Sequence, residues 1–461
     1  MSRQPSSPLR IRDFRLLWLG EAVSAIGDQF ALIALPWLAL VLTGNALALG
    51  GVLAVMAIPR ALLMVVGGVW VDRMSPRSVM LASNAVRLVA VAVLGVAALE
   101  GAIELWMLYA FALVFGVADA FFFPAQTSIV PQLVEPDQLQ KANGIVQGTA
   151  QAAVLIGPAA AGGIIAAFGS AGAAPNQAGV GIALLLDAGT FLASIVTLWL
   201  IRGRAGARAA GGGSLLGEIG EGVRFVLRAP ALRVVVLLSL AANLLLVGPF
   251  EVGMPVIAYT RLPEGAAAYG IVLSAFGGGS LIGLSIAALL PTPAPRLLGT
   301  VVMVSVGIAG SGVAALAFAG TTLVAAVMTA IAGMALGYGN LLGLTWMQAR
   351  IPSRLMGRVM SLMMLGSMGL VPVSQLVAGA AITVSLDGML IAAGAGMAVL
   401  ALGSLLSRTI RDLGLTPIVS RGRSESPAEE PASEWAAADL GQPTVDLEDN
   451  DAVYAALDQS A

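Results

Sequence analysis

The sequence has 461 residues, of which 58% are hydrophobic and 11% are charged, with a formal net charge of −2 and a mean hydropathy of +0.91. Soluble domains carry about 25% charged residues, so this composition excludes an ordinary soluble protein and indicates one embedded in a membrane. Cysteine and histidine are absent, which excludes disulfides, thiolate chemistry and histidine-bound metals and leaves any proton transfer to carboxylates.

Apolar stretches of about 20 residues recur along the whole chain, the length at which a helix crosses the hydrocarbon core. A strand of a membrane barrel needs only about 10 residues, so the predicted fold is all-α. The N-terminal MSRQPSSPLRIRDFR leads directly into the first stretch, which we expect to be retained as a span. The predicted spans are 16–43, 46–70, 78–100, 103–124, 144–168, 178–201, 232–258, 268–290, 297–319, 321–346, 358–383 and 386–408.

Basic residues orient these spans, because Lys and Arg near span ends are retained in the cytoplasm. Arg261 lies on one side of the predicted membrane, Arg60 and Arg87 fall inside spans, and every other Lys and Arg lies on the side of the two termini. Adding or removing one span would scatter these residues over both sides. The sequence therefore predicts a multi-pass protein of the inner cell membrane with both termini in the cytoplasm.

A long connection divides the spans into two groups of six. It begins with the Gly-rich RGRAGARAAGGGS and continues with LLGEIGEGVRFVLRAPALR, whose apolar residues recur at helical spacing. The second part predicts an interfacial helix, with a solvated linker as the alternative. Pro-x-x-Leu follows span 4 and span 10, which favours two repeated six-helix bundles. The predicted units are an N-terminal segment 1–15, a bundle 16–201, a linker 202–231, a bundle 232–408 and a disordered acidic tail 409–461.

The stretch GVWVDRMSPR at 68–77 follows span 2. Gly68 permits close helix packing one turn before Asp72, and a carboxylate is favoured beside a helix N-terminus. With Arg73 and Arg77 these residues resemble the loop signature G-x-x-x-D-R-x-x-R-R of the major facilitator superfamily. That resemblance implies two six-helix bundles and a cytoplasmic gate in which Asp72 meets the start of span 11 near Arg358. The alternative is a loop whose charges anchor it at the lipid headgroups.

Span 5, GIVQGTAQAAVLIGPAAAGG, resembles the antiporter signature of the same superfamily. Gly148, Gly157, Pro158 and Gly162 carry the match, although one spacing differs by a residue. Small residues allow helices to pack closely and Pro158 permits a bend, so close static packing is the alternative interpretation. The stretches GDQFALIALPWLAL in span 1, PAQTSIVPQLVEPDQLQKANG at 124–144, EGVRFVLRAPALR and IPSRLMGRVMSL resemble the branch that contains enterobactin exporters and macrolide efflux proteins. This resemblance covers residues 10–408 and implies proton-driven export of siderophores or drugs.

Ionisable residues inside a membrane are costly and are functional candidates by default. Asp28 and Arg60 have similar predicted depths in neighbouring spans, so we expect them to meet, with Asp28 carrying the proton and Arg60 stabilising its charged form. A permanent structural salt bridge is the alternative. Glu21 is predicted to be shallower, solvated and second in importance. By analogy with the superfamily, Asp119 is expected to join Asp72 and Arg77 at the gate.

The remaining charges are expected to be structural or wet: Arg87 is expected to be a packing or gate residue, Asp187 a structural residue, and Glu251 a residue in contact with water. Spans 8–12 have no charged residue in their interiors, which suggests an apolar substrate surface in the second half, with Asn243, Asn340, Trp346 and Gln375 as candidate cavity residues.

The sequence thus predicts a twelve-helix secondary transporter that exports amphiphilic small molecules in exchange for protons. A facilitator or importer of the same fold, or a membrane receptor that uses the acidic tail, are the alternatives. No nucleotide loop or metal cluster is recognisable, so an enzyme, a cofactor and a nucleic-acid partner are not expected. The expected partners are the substrate, protons and lipid, and the expected oligomeric state is a monomer.

Overall fold

A computed structural model of the chain describes residues 7–169, 177–202, 224, 226–227, 230–351, 353–411 and 413–415. Twelve helices in this part are long and apolar enough to cross a membrane, which confirms the predicted all-helical architecture and multi-pass character. Most of the predicted linker and of the acidic tail lie outside the described residues. The helices are α1 (Arg12–Thr43), α2 (Ala46–Arg73), α3 (Pro76–Leu99), α4 (Leu105–Leu133), α5 (Leu139–Phe168), α6 (Ala178–Leu200), α7 (the three consecutive segments Pro230–Ala242, Asn243–Val247 and Gly248–Arg261), α8 (Ala266–Leu289), α9 (Pro295–Ala315), α10 (Thr322–Arg350), α11 (Ser353–Val384) and α12 (Leu386–Leu405).

Helix α4 is longer than the sequence predicts. The apolar stretch was expected to end at Pro124, but the helix continues through Pro124 and Pro131 to Leu133. Proline removes one backbone hydrogen bond, yet helices within a membrane tolerate it because neighbouring helices and side chains satisfy the freed carbonyl. The extension carries Gln126 into the protein interior, where it contributes to the site described below.

The helices pack in two sets, which meet mainly along two helix–helix contacts. Within α1–α6 the most extensive contacts join α3 with α6, α1 with α6, and α2 with α4; within α7–α12 they join α8 with α10 and α9 with α12. Between the sets, α2 packs against α11 and α5 packs against α8. We call the side that carries the α1–α2, α3–α4, α7–α8 and α11–α12 connections the loop face, and the opposite side the terminal face.

Both contacts between the sets lie toward the loop face and depend on glycine. A Cβ atom at Gly50 of α2 would lie 2.5 Å from the carbonyl oxygen of Gln375 of α11, and a Cβ atom at Gly270 of α8 would clash with the carbonyl of Pro158 of α5. These two glycine seams bring backbone against backbone, as small residues do in membrane helices. The rings of Trp37 and Tyr259 add an edge-to-face contact between the sets, with centroids 5.7 Å apart.

Helix α7 is interrupted by a π-helical turn, Asn243–Val247. Ser374 of α11 holds this turn: its hydroxyl donates to the carbonyl of Leu244 at 2.6 Å and accepts from the N–H of Gly248 at 2.8 Å. Such turns inside α-helices are frequent at functional sites. The turn sets the direction in which the following residues of α7 face the interior.

Candidate functional site

A network of buried charges joins α2, α3 and α4. Arg87 of α3 donates a short hydrogen bond to Asp119 of α4, and Nη1 of Arg60 lies 3.9 Å from Oδ2 of the same carboxylate. Arg87 is 1% exposed and Asp119 is 8% exposed. A buried guanidinium requires a counter-charge, so the sequence-based view of Arg87 as a peripheral packing residue is incomplete: it is the main partner of Asp119.

Aromatic rings enclose the guanidinium of Arg87. Its Cζ lies 4.1 Å from the ring centroid of Phe122, 5.3 Å from that of Phe115 and 5.7 Å from that of Phe191. Cation–π contacts of this kind gain strength away from water. Phe191 belongs to α6, so α3, α4 and α6 together fix the position of the cation.

Asp28 of α1 lies beside this network and has one free oxygen. Its Oδ1 is buried and has no hydrogen-bond partner among the described residues. The charges of Arg87, Asp119 and Arg60 act on Asp28, and Asp28 in turn acts on Asp187 of α6. The predicted salt bridge with Arg60 is therefore not formed in this structure, in which the ion pair of Arg60 is with Asp119.

The reason for this difference is the direction of the Arg60 side chain. Spacing along the sequence gave the depth of Arg60 in the membrane but not the face of α2 on which it lies. Helix α2 packs extensively against α4, and the guanidinium of Arg60 lies 4.6 Å from the ring centroid of Phe123. Both contacts direct Arg60 toward α4, where Asp119 is the available carboxylate.

Asp187 completes the group of acids around Asp28. It is fully buried, and the hydroxyl of Thr190 donates to its Oδ1 at 3.2 Å. A Cβ atom at Gly27 of α1 would lie 2.5 Å from that oxygen, so the glycine allows the carboxylate to approach α1. Asp187 thus faces the same interior as Asp28 and is not an isolated packing residue.

Glu21 is buried rather than solvated, being 8% exposed. Its carboxylate accepts hydrogen bonds from Nε2 of Gln126 at 2.6 Å and from Oγ of Ser194 at 3.4 Å, and Ser194 accepts from Nδ2 of Asn84 at 3.0 Å. The predicted solvation was wrong because α4 extends beyond its predicted end and covers this level of α1. Glu21 therefore belongs to a polar chain through α1, α3, α4 and α6.

The predicted gate residues are only partly described. Arg77 donates from Nε to the carbonyl of Leu198 at 2.8 Å and from Nη2 to that of Trp199 at 2.7 Å, and so caps the C-terminal end of α6. The side chains of Gly68, Asp72, Arg73 and Arg358 lie outside the described part. Asp119 does not join Arg77 as expected, because Arg87 and Arg60 hold it in the interior.

The glycines predicted in α5 are used unequally. Gly157 packs against the side chain of Gln29 of α1, and Gly162 packs against the backbone of α8 at Ala266. Pro158 offers its carbonyl to the second glycine seam. Gly148, by contrast, has no heavy atom within 4 Å of the position that a Cβ atom would take. The signature residues therefore support contacts of α5 with both α1 and α8.

Three of the four predicted cavity residues line one cavity. Asn243, Asn340 and Trp346 line a space of about 390 Å³ between α7, α9, α10 and α11. Nε1 of Trp346 donates to the carbonyl of Leu413 at 2.7 Å, so a C-terminal segment closes this space at the terminal face. The fourth, Gln375, is not among its lining residues.

A second cavity of about 330 Å³ lies between α1, α5, α7, α8, α9 and α10, and sequence reasoning missed it. Glu251 of α7 lines it and accepts a hydrogen bond from Nε2 of Gln375 at 2.7 Å. The expectation that Glu251 is simply wet was therefore wrong, because its carboxylate is held by α11. One feature of the sequence could have indicated this site: Glu251 is an isolated carboxylate within the largely apolar spans of the second half.

Known proteins share sequence similarity and fold with this chain. A family model described as Major Facilitator Superfamily matches residues 17–374. The macrolide efflux protein A of Streptococcus pyogenes is 28% identical over 32% of this chain, a match that spans 36% of that relative's length. The multidrug efflux pump Tap of Mycolicibacterium fortuitum is 27% identical over 76% of this chain and 84% of its own. The crystal structure of the nucleoside transporter NupG superposes with a TM-score of 0.66 at 12% identity, covering 86% of this chain and 98% of that one.

Proposed function

The chain belongs to the Major Facilitator Superfamily, whose members are transporters and not enzymes, and from this premise we propose that it exports amphiphilic small molecules in exchange for protons. The names of its relatives, a macrolide efflux protein and a multidrug efflux pump, support export of such molecules. The two helix sets act as six-helix domains, 16–201 and 232–408, that rock against each other. In the proposed orientation the termini are cytoplasmic and the loop face is external.

The charge balance beside α1 carries this proposal. Asp28 interacts with Asp119, Asp187 and Glu21, whereas the guanidiniums of Arg60 and Arg87 supply only two positive charges. At least one carboxylate therefore has no counter-charge, and an uncompensated charge in a membrane interior is unfavourable. A proton neutralises the excess. We assign it to Asp28 rather than to Asp187. Each of these acids has a buried oxygen without a hydrogen-bond partner among the described residues, but Thr190 donates a hydrogen bond to the other oxygen of Asp187, which favours its charged form.

Alternating access then links the proton to substrate. The glycine seams hold the loop face shut in this arrangement of the helices, so substrate enters from the terminal face. Protonation of Asp28 weakens its attraction to Arg60 and Arg87, which frees α1 to shift against α2 and α3. The gate residues Gly68, Asp72, Arg73 and Arg358, with Arg77, lock the terminal face in the opposite state.

The test uses inverted membrane vesicles energised to an acid interior. Macrolides, cationic dyes and catecholate siderophores are added one at a time while an internal pH dye is followed. We expect at least one compound to alkalinise vesicles that contain the wild type and Asp137→Asn, an exposed-carboxylate control, but not those that contain Asp28→Asn. Equal alkalinisation by Asp28→Asn contradicts the proton assignment. Substrate flux that is equal with and without a proton gradient identifies a facilitator and refutes antiport.

A further inference from the structure

We propose that the cavity lined by Glu251 is a binding site for lipophilic monovalent cations, with the Glu251 carboxylate as the counter-charge. This inference rests on the proposed function and names a substrate class for it. The cavity is separate from the space that holds Asn243, Asn340 and Trp346. Nothing in the sequence pattern assigned Glu251 a ligand.

The walls of the cavity suit a hydrophobic molecule. Phe250 and Phe276 line it with ring centroids 4.9 Å apart, and most of the other lining side chains are aliphatic. The volume of about 330 Å³ is that of a small drug site. Aromatic faces attract cations as well as apolar groups, so the walls favour an organic cation over a hydrated metal ion.

Besides the hydroxyls of Tyr269 and Thr329, the described lining residues of the cavity present a carboxylate and an unpaired amide oxygen. Glu251 is the carboxylate among the described lining residues, and these residues include no Lys or Arg. Gln29 of α1 also lines the cavity, and its Oε1 is buried without a hydrogen-bond partner among the described residues. Gln375 is not a lining residue, but its amide N–H holds Glu251, and its own Oε1 is buried without a partner among the described residues. A positive ligand complements this arrangement, whereas an anion meets repulsion from Glu251.

Arg60 connects this site to the proton network. Its charge acts on Glu251 as well as on Asp28, and it forms the ion pair with Asp119. A cation beside Glu251 repels the Arg60 guanidinium and thereby strengthens its ion pair with Asp119 in the first helix set. Substrate charge and proton occupancy therefore influence each other through one residue.

The experiment measures equilibrium binding to purified full-length protein in lipid nanodiscs, without a proton gradient. Tetraphenylphosphonium and tetraphenylborate are the probes, because they have nearly the same shape and opposite charge. We expect the wild type to bind the phosphonium at least tenfold more tightly than the borate. Glu251→Gln is expected to weaken phosphonium binding at least tenfold, and Glu251→Asp to retain most of it. Glu104→Gln, the same change at an exposed position that Trp106 contacts, is the matched control and should bind within twofold of the wild type.

Three results overturn the cation site: no phosphonium binding by the wild type, equal binding of the two probes, or unchanged affinity in Glu251→Gln. A normal elution profile and thermal midpoint of Glu251→Gln show that a loss of binding does not reflect misfolding, and retained binding by Glu251→Asp shows that the charge is responsible. Because no gradient is present, failure here is distinguishable from failure of proton coupling, which only the Asp28→Asn vesicles test.

Discussion

Replacing Gly50 with alanine is expected to open the loop face. The added Cβ atom would lie 2.5 Å from the carbonyl oxygen of Gln375, whereas ordinary contact begins at 3.4 Å. The seam between α2 and α11 must therefore widen by roughly 0.9 Å, and overpacking of this kind costs about 1–3 kcal/mol. Because the cost falls only on the state in which the seam is closed, the ratio of open to closed molecules rises by about 5- to 150-fold.

Labelling of a single cysteine measures this shift, since the chain has no cysteine of its own. Ala332 lines the Glu251 cavity and is 6% exposed. In the proposed orientation, in which the loop face is external, Ala332→Cys therefore reports access from that face to a membrane-impermeant maleimide in spheroplasts. We expect the labelling rate to rise at least fivefold when Gly50→Ala is added. The control is Gly369→Ala on α11, where a Cβ atom meets no heavy atom within 4 Å, and it should leave the rate within twofold.

An unchanged labelling rate in Gly50→Ala would refute the view that backbone contact at this seam holds the loop face shut. The same conclusion follows if Gly369→Ala raises the rate as much, because the effect would then come from any added methyl group on these helices. Equal labelling of all variants after denaturation verifies that the cysteine itself is intact.

Three further outcomes are expected. Asp119→Asn leaves the buried guanidinium of Arg87 without its carboxylate and should cost about 3–5 kcal/mol of unfolding free energy; a thermal midpoint in detergent equal to that of the wild type contradicts this. The hydroxyl of Thr322, 2.5 Å from Glu264, holds the pKa of that carboxyl below its ordinary 4.5, which stabilises the fold above that pH and is lost as the pH falls through the folded-state pKa. The stability gap between the wild type and Thr322→Val should accordingly be present at pH 7 and close below pH 4.5, and a gap independent of pH argues against it. Ser374→Ala removes the two hydrogen bonds that the hydroxyl makes to the carbonyl of Leu244 and the N–H of Gly248, at about 1–3 kcal/mol. Amide exchange in α7 should therefore accelerate, whereas exchange at the wild-type rate shows that the turn does not need this residue.

The number and type of the helices could be predicted from the sequence, because a segment that crosses the hydrocarbon core must pair its backbone hydrogen-bonding groups internally. Each crossing therefore needs an apolar stretch of about 20 residues, which is recognisable in the sequence. The ends were less predictable where prolines occur. At Pro124 the apolar pattern and the helix-breaking tendency disagreed, and the membrane environment favoured continuation to Leu133. That extension explains why Glu21 is buried, which the sequence alone did not indicate.

The candidate site was predicted as a set of residues but not as a set of contacts. Spacing places Asp28 and Arg60 at one depth, but the rotation of each helix about its axis depends on side chains of other helices. Phe123 and Asp119 direct Arg60 toward α4, and neither lies near it in sequence. Glu251 was misjudged for a similar reason, since its partner Gln375 comes from a helix 124 residues further along the chain.

The π turn of α7 makes this half of the protein sensitive to insertions and deletions. Such a turn accommodates one residue more than an α-helical turn, and each residue of an α-helix advances the chain by about 100° around the axis. Glu251 follows the end of the turn at Val247 by four residues. A relative whose chain is one residue shorter here would keep the apolar composition of the span and yet present its carboxylate to a different neighbour. The length of this segment therefore specifies what the cavity can hold, together with the identity of its side chains.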